Sequence, residues 1–220
     1  MNWNEVIYAD CMNEENGLPT LEDKSIDLCL TDPPFNIQYK GKAYSSHKTQ
    51  LYEDTREDYK EWCKSWFQEL KRICKGILIL CGNLNIWMWS DIEHPRDLVI
   101  HYKKNSQTRA SASYLSKYNS ILVYGKLKRL FSTNIIEQRI TYESVHVHPC
   151  PDCYKLYVKI LSQLKPTSII DPFMGSGTTA EACTQLGIPW IGYELNEIYS
   201  QDINKRLKYC KKELTLTDFL

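Results

Sequence analysis

Ser168-Ile169-Ile170-Asp171-Pro172-Phe173-Met174-Gly175-Ser176-Gly177-Thr178-Thr179 is the stretch that decides the fold. A short apolar run ends at an aspartate, a glycine-rich turn follows, and a helical pattern runs from Ala180 to Leu186. Strand, glycine turn and helix form the repeating unit of a doubly wound α/β sheet, where ligands sit at the carboxyl ends of the strands. Glycines at such a turn let backbone approach a ligand closely. The turn lacks the Gly-Lys-Ser/Thr ending of a P-loop, which disfavours a nucleotide-phosphate site.

The same alternation extends outward in both directions. Pro189–Tyr193 reads as the next strand and Leu195–Lys212 as a terminal helix with a basic outer face. Upstream, strands are expected at Val6–Ala9, Ile26–Thr31, Ile77–Leu80, Leu98–Tyr102 and Ser120–Tyr124. Tyr59, Trp62, Cys63, Trp66, Phe67, Leu70 and Ile73 recur at spacings of three and four, which predicts an amphipathic helix over Arg56–Cys74, ended by Gly76. Its aromatics read as core. Asn85–Asp91 reads as a short helix and Asp152–Leu164 as another, stopped by Pro166. Gly41–Asp54 and Lys103–Lys117 have loop compositions. Strands alternating with helices imply a mostly parallel sheet covered on both faces.

A second motif, Asp32-Pro33-Pro34-Phe35, closes the Ile26–Thr31 run. Each proline fixes φ near −65° and has no N–H. The residue before a proline is pushed out of the helical region, so Asp32 and Pro33 are both extended. The expected result is a rigid group of acceptors, one carboxylate and nearby carbonyls, with Phe35 as a flat wall. That suits an amino group on a flat ring: its hydrogens go to the acceptors and the ring stacks on the aromatic.

The pairing of Asp-Pro-Pro-Phe at 32–35 with Asp-Pro-Phe-Met-Gly-Ser-Gly-Thr-Thr at 171–179 resembles the β-class amino DNA methyltransferases, which use S-adenosylmethionine. The catalytic motif comes first, a target-recognition segment next and the cofactor motif last, as in that family. The resemblance implies a Rossmann-like methyltransferase fold, circularly permuted, with seven strands of which one is antiparallel near the edge. It implies one domain over 1–220 with a target-recognition insertion at about 95–144. Around the cofactor it implies Asp171, Phe173, Gly175, Ser176, Gly177 and Thr178 at the amino-acid end, Glu194 at the ribose hydroxyls, and Asp10 with Cys11 against the adenine. Asp32 and the Pro33 carbonyl would take the two hydrogens of an exocyclic amino group, with Pro34 holding the turn rigid and Phe35 stacking on a flipped-out base. An aspartate at the first motif position resembles the N6-adenine enzymes; N4-cytosine remains the alternative, as does a nucleic-acid-binding protein with a decayed site. The recognition segment is short, which implies a short target in double-stranded DNA or help from a second subunit in a homodimer.

Composition fits this reading. At 220 residues the chain supports one substantial core. The net charge is zero, yet no Asp or Glu occurs between Leu98 and Ile136, where Lys103, Lys104, Arg109, Lys117, Lys126, Lys128 and Arg129 supply seven of the 27 basic residues. One basic segment on an otherwise acidic chain is the footprint expected for DNA phosphates. No signal peptide or membrane-length apolar run is read, and seven of the nine cysteines are scattered without pairing spacing, which points to reduced thiols, so a cytoplasmic protein is expected. His148-Pro149 matches the start of the family's His-Pro-Thr-x-Lys-Pro motif, but Asp152 and Cys153 stand where its Lys and Pro would be. His146, His148, Cys150 and Cys153 are zinc-ligand types, but a single Cys-x-x-Cys without a second pair does not specify a site, and no metal is expected. The zinc deaminase pattern is half present and lacks its His/Cys-x-Glu.

Overall fold

The computed structural model describes residues 2–36, 56–106, 116–139 and 154–217, without the side chains of Tyr209 and 211–217. Eight strands form one sheet in the order β1-β8-β7-β2-β3-β5-β4-β6. They are β1 (Glu5–Ile7), β2 (Ile26–Thr31), β3 (Cys74–Cys81), β4 (Asp97–Tyr102), β5 (Tyr118–Gly125), β6 (Ile135–Glu137), β7 (Ile169–Asp171) and β8 (Trp190–Tyr193). Only β5 runs against its neighbours, β3 and β4; every other pairing is parallel. Among the described residues the sheet thus has eight strands and not the expected seven. The additional one, β6, is three residues long and has a single buried side chain, too short a run to carry a periodic signal.

The helices are α1 (Tyr59–Ile73), α2 (Ile86–Ile92), α3 (Tyr154–Leu164), α4 (Thr178–Gln185) and α5 (Ser200–Thr217). They cover both faces, as side-chain alternation along the strands requires. Cys29, Ile77, Ile79, Leu122 and Tyr124 point to the face packed by α1 and α2. Leu28, Leu30, Leu78, Leu80, Ile121 and Val123 point to the face packed by α3, α4 and the start of α5. The apolar stripe of α1 is buried as its spacing predicts, with Trp66, Phe67, Leu70 and Ile73 fully enclosed.

Gly76 does not end α1. The helix stops at Ile73 and passes directly into β3, with Gly76 buried inside that strand. A β-carbon there would meet Leu127 at 2.7 Å, so close packing of the β5–β6 connection explains the glycine. The end of α1 is held by Lys24, whose ammonium donates to the carbonyls of Lys71 and Cys74 at 2.5 and 2.9 Å. A cation on the last carbonyls also opposes the negative end of the helix dipole. No helix among the described residues is long and apolar enough to cross a membrane.

The span expected as a recognition insertion includes β4, β5 and β6, so part of it belongs to the sheet. Residues 107–115 of the β4–β5 connection and 140–144 fall outside the described set. The core contains an aromatic stack of Trp66 against Trp89 and Phe173, with ring centroids 5.3 and 5.0 Å apart. Trp66→Ala is expected to cost about 3–5 kcal/mol of stability, read by urea unfolding. A loss below about 1 kcal/mol would show that the stack is not a core element.

Candidate active site

Sheet order brings the sequence-separated motifs together. Strands β1, β8, β7 and β2 are consecutive neighbours and run in one direction. Their carboxyl ends therefore present, side by side, Tyr8-Ala9-Asp10, then Glu194, then Asp171 with the glycine turn, then Asp32-Pro33-Pro34-Phe35.

Asp171 holds the middle of this row. Its carboxylate is buried and accepts from three directions: the Thr31 hydroxyl at 2.7 Å, the Phe173 N–H at 3.0 Å and the Thr179 hydroxyl at 2.5 Å. One side chain thus joins the end of β2, the start of the glycine turn and the first turn of α4. With its carboxylate committed to these donors, Asp171 shapes the site from beneath. Met174 anchors the turn through its N–H to the Tyr193 carbonyl at 2.8 Å and lies over Gly192, where a β-carbon would meet its terminal methyl at 2.0 Å. Gly177 has φ +86°, a left-handed conformation, and a β-carbon there would also press on Ile203 of α5 at 3.0 Å. Arg206, only 4 % exposed, pairs with Glu181 of α4 and reaches the Ser176 hydroxyl at 3.5 Å. The last helix therefore backs the turn with both an apolar and a charged contact. Phe173 leaves the turn on the other face and packs on Trp62 and Trp66.

Glu194 spans the next gap. Its two oxygens accept the N–H groups of Gly175 and Asn196, each at 2.8 Å. Burial, opposed by these hydrogen bonds, pushes its carboxyl up to about 7. Tyr8 lies close enough that the Glu194 and Glu197 charges, after burial, raise its phenol. Asp10 is exposed and accepts the Met12 N–H at 2.8 Å in a local turn. Cys11 is buried beside it, its thiol pushed up to about 12 by burial and then by Asp10.

The Asp-Pro-Pro-Phe segment is held by groups on α1 and after β3. Asp32 is half-buried beside Cys81, whose thiol is raised to about 12, first by burial and then by the Asp32 charge. The Pro34 carbonyl accepts the Tyr59 hydroxyl at 2.5 Å, and the Phe35 carbonyl accepts the Asn85 amide at 2.7 Å. Among the described residues nothing donates to the Pro33 carbonyl that precedes them. The Phe35 ring lies over Gly82, where a β-carbon would come within 3.2 Å of it. Asn36 has φ +55° and clasps Arg56, accepting its N–H at 2.6 Å and donating to its carbonyl at 3.0 Å.

The basic residues do not form one patch. Lys103, Lys104 and Lys117 lie at the catalytic end of the sheet, beyond Tyr102 and Tyr118. Lys126, Lys128 and Arg129 follow Gly125, which pairs with Gly76 at the opposite end. The eight residues of β5 separate the groups, roughly 24 Å at about 3.4 Å per residue. Lys103 is buried with its ammonium on the Asn119 side-chain oxygen at 2.7 Å, and Lys117 donates to the Ser106 carbonyl at 2.7 Å. Lys104 is exposed. Arg109, His146, His148, Cys150 and Cys153 lie outside the described residues, as does the 41–54 span expected as a loop. Among the described residues no cluster of His, Cys, Asp or Glu is placed to hold a metal, and the seven described cysteines are buried and form no disulfide with one another.

Four contributors carry no motif: Thr31, Tyr59, Asn85 and Arg206. Thr31 was legible as a polar residue ending a buried strand. The other three act through contacts 25 or more positions away along the chain, which spacing does not encode.

The raised Glu194 carboxyl has a stability consequence. Between its ordinary value of 4.5 and about 7, the folded chain holds a proton that the unfolded chain has released. Stability is therefore highest below that window and falls as pH rises through it, by about 3 kcal/mol in total. Glu194→Gln should flatten this part of the curve in urea unfolding followed from pH 5 to 8; an unchanged slope would mean that another group sets it.

The DNA methylase family of the N6/N4 type matches residues 26–148 and 146–205 of the chain. Among curated proteins, the chain is 27% identical to type II methyltransferase M.HpaI of Haemophilus parainfluenzae, over 93% of this chain and 80% of the relative. It is 26% identical to type II methyltransferase M.HinfI of Haemophilus influenzae, over 94% and 69%. Among solved structures, M1.HpyAVI in complex with SAM aligns with a TM-score of 0.64 at 21% identity, covering 92% of this chain and 98% of that one. The cytosine-N4-specific PvuII DNA methyltransferase aligns at 0.69 and 14% identity, covering 92% and 85%. Two motifs on adjacent strands, the topology that joins them and the family match over most of the length agree: the chain belongs to the N6/N4 amino-methyltransferase family of DNA methylases.

Proposed function

We propose that the chain transfers a methyl group from S-adenosylmethionine to the N6 amino group of an adenine flipped out of double-stranded DNA. The observation that carries this reading is the distribution of hydrogen bonds along Asp-Pro-Pro-Phe. The Pro34 and Phe35 carbonyls are taken by Tyr59 and Asn85. The Pro33 carbonyl has no donor among the described residues, and together with the neighbouring Asp32 carboxylate it offers acceptors to an incoming amino group.

The residues present fit the cofactor. Glu194 is a half-buried carboxylate at the end of the strand after the glycine turn, the position that accepts ribose hydroxyls in related folds. Gly175 and Gly177 keep the turn low enough for close approach, and Asp10 is exposed at the end of β1 for the adenine side. When bound, S-adenosylmethionine supplies an electrophilic methyl group.

The chain's own part is placement and charge. Asp32 and the Pro33 carbonyl accept the two amino hydrogens, which turns the nitrogen lone pair out of the ring. Phe35, backed by Gly82, gives the base a flat seat. As the nitrogen gains its methyl it gives up one proton, and the Asp32 carboxylate is in position to take it. Tyr59 and Asn85 keep the acceptors from drifting, which matters because in-line transfer tolerates little misplacement. Lys104 and Lys117, at the same end of the sheet, are the described cations best placed to meet phosphates; Lys126, Lys128 and Arg129 are too remote to share that contact.

Labelled S-adenosylmethionine and mixed-sequence double-stranded DNA, followed by nucleoside mass spectrometry, test the reading. N6-methyladenine is expected. N4-methylcytosine would keep the mechanism and replace the base, and no label in DNA would overturn the proposal. Asp32→Ala should lower transfer by about a thousandfold or more, with cofactor affinity by calorimetry within about threefold of the parent. Equal loss of both would make Asp32 structural. Tyr59→Phe, which removes one hydrogen bond to the motif, should lower kcat about tenfold; an unchanged kcat would separate Tyr59 from catalysis.

A further inference from the structure

Leu84 and Trp87 are 67% and 78% exposed, high values for large apolar side chains. They sit between the end of β3 and the first turn of α2, beside the Asp-Pro-Pro-Phe motif. Asn85, between them in sequence, bonds the Phe35 carbonyl, and Gly82 lies under the Phe35 ring. Asn83, before Leu84, donates to the Tyr118 carbonyl at 3.3 Å. Tyr118 in turn pairs across the sheet with Tyr102, and the two are 38% and 37% exposed. Strand alternation fixes their side: Tyr118 shares the face of Leu122 and Tyr124, and Tyr102 that of Leu98, all packed in the α1/α2 core. Leu84, Trp87, Tyr102 and Tyr118 therefore rim one side of the catalytic end.

The charges around this rim favour a polyanion over a second protein surface. Lys117 precedes Tyr118, Lys104 follows Tyr102 by two residues, and segments 83–85 and 116–120 carry no carboxylate. The acids nearest the rim are Glu137, the register partner of Tyr102 on the edge strand β6, and Asp91, one turn along α2 from Trp87 and paired with Lys60 at 3.1 Å. Aromatic plates interleaved with lysines offer stacking surfaces and phosphate contacts together. An apolar side chain pressed between base steps offsets the stacking lost when a base leaves the duplex.

We propose that this rim opens the duplex: Leu84 and Trp87 press into the stack beside the displaced base while Tyr102 and Tyr118 stack on its neighbours. The inference rests on the methyl-transfer reading above and adds to it a group of residues that act only on paired DNA. Their contribution therefore depends on strandedness, which a purely structural role would not.

The test compares native and heat-denatured DNA of one mixed sequence as substrates for the parent chain and a Leu84→Ala/Trp87→Ala variant, with labelled S-adenosylmethionine. The variant should lose about tenfold or more in kcat/KM on native DNA and stay within about twofold on denatured DNA. A Leu84→Met/Trp87→Phe variant should restore most of the loss. Equal loss on both substrates, or none on either, overturns the proposal. Loss accompanied by a change of oligomeric state in analytical ultracentrifugation also overturns it and makes the rim a contact between copies of this chain. Failure of the parent to label either substrate would instead overturn the methyl-transfer reading, and the wedge with it.

Discussion

The active end of the molecule depends on one buried carboxylate. An ionised carboxylate is costly to bury unless hydrogen bonds replace the water it loses. Asp171 meets that condition with donors from three places: a strand beside its own, the turn that follows it and the helix beyond. Each hydrogen bond to a charged group contributes about 1.5–3 kcal/mol, and losing one leaves an acceptor exposed to an apolar interior. The bonds therefore hold as a set. Their geometric effect is to fix Thr31, the residue immediately before Asp32, relative to the glycine turn. In the proposed reaction those two segments carry the base and the methyl donor.

The remaining supports follow the same design, in which distant elements brace the ends of four parallel strands. Met174 leans on Gly192 in the neighbouring strand, and Ile203 and Arg206 back the turn from the last helix. Tyr59 and Asn85 secure the proline motif from α1 and from the loop after β3. Strand ends have no ladder to complete, so their backbone groups are free to take such partners. The carbonyl of Pro33 has no donor among the described residues, and the proposed reaction uses it as an acceptor.

The two motifs and the strand–helix alternation were legible in the residues because each is local. A glycine turn, a proline pair and a period of two or 3.6 are written in adjacent positions. What escaped reading depends on contacts far apart in sequence. Gly76 looked like a helix stop and is a strand residue, because the reason for it, Leu127, is 51 positions away. Strand β6 was missed because one buried side chain has no period. The basic run of 103–129 read as one electrostatic footprint, but β5 reverses direction and carries half of it to the other end of the sheet. Charge sums along a chain do not see that reversal.

The most direct test of this account is the turnover of Thr31→Val at saturating S-adenosylmethionine and DNA. The substitution keeps the volume of the side chain, removes only its hydrogen bond to Asp171, and leaves the Phe173 and Thr179 bonds in place. If that bond sets the base-accepting motif against the cofactor turn, kcat falls about tenfold or more while cofactor affinity stays within about threefold. Unchanged kcat in a folded variant would contradict the account and reduce Asp171 to an ordinary buried cap.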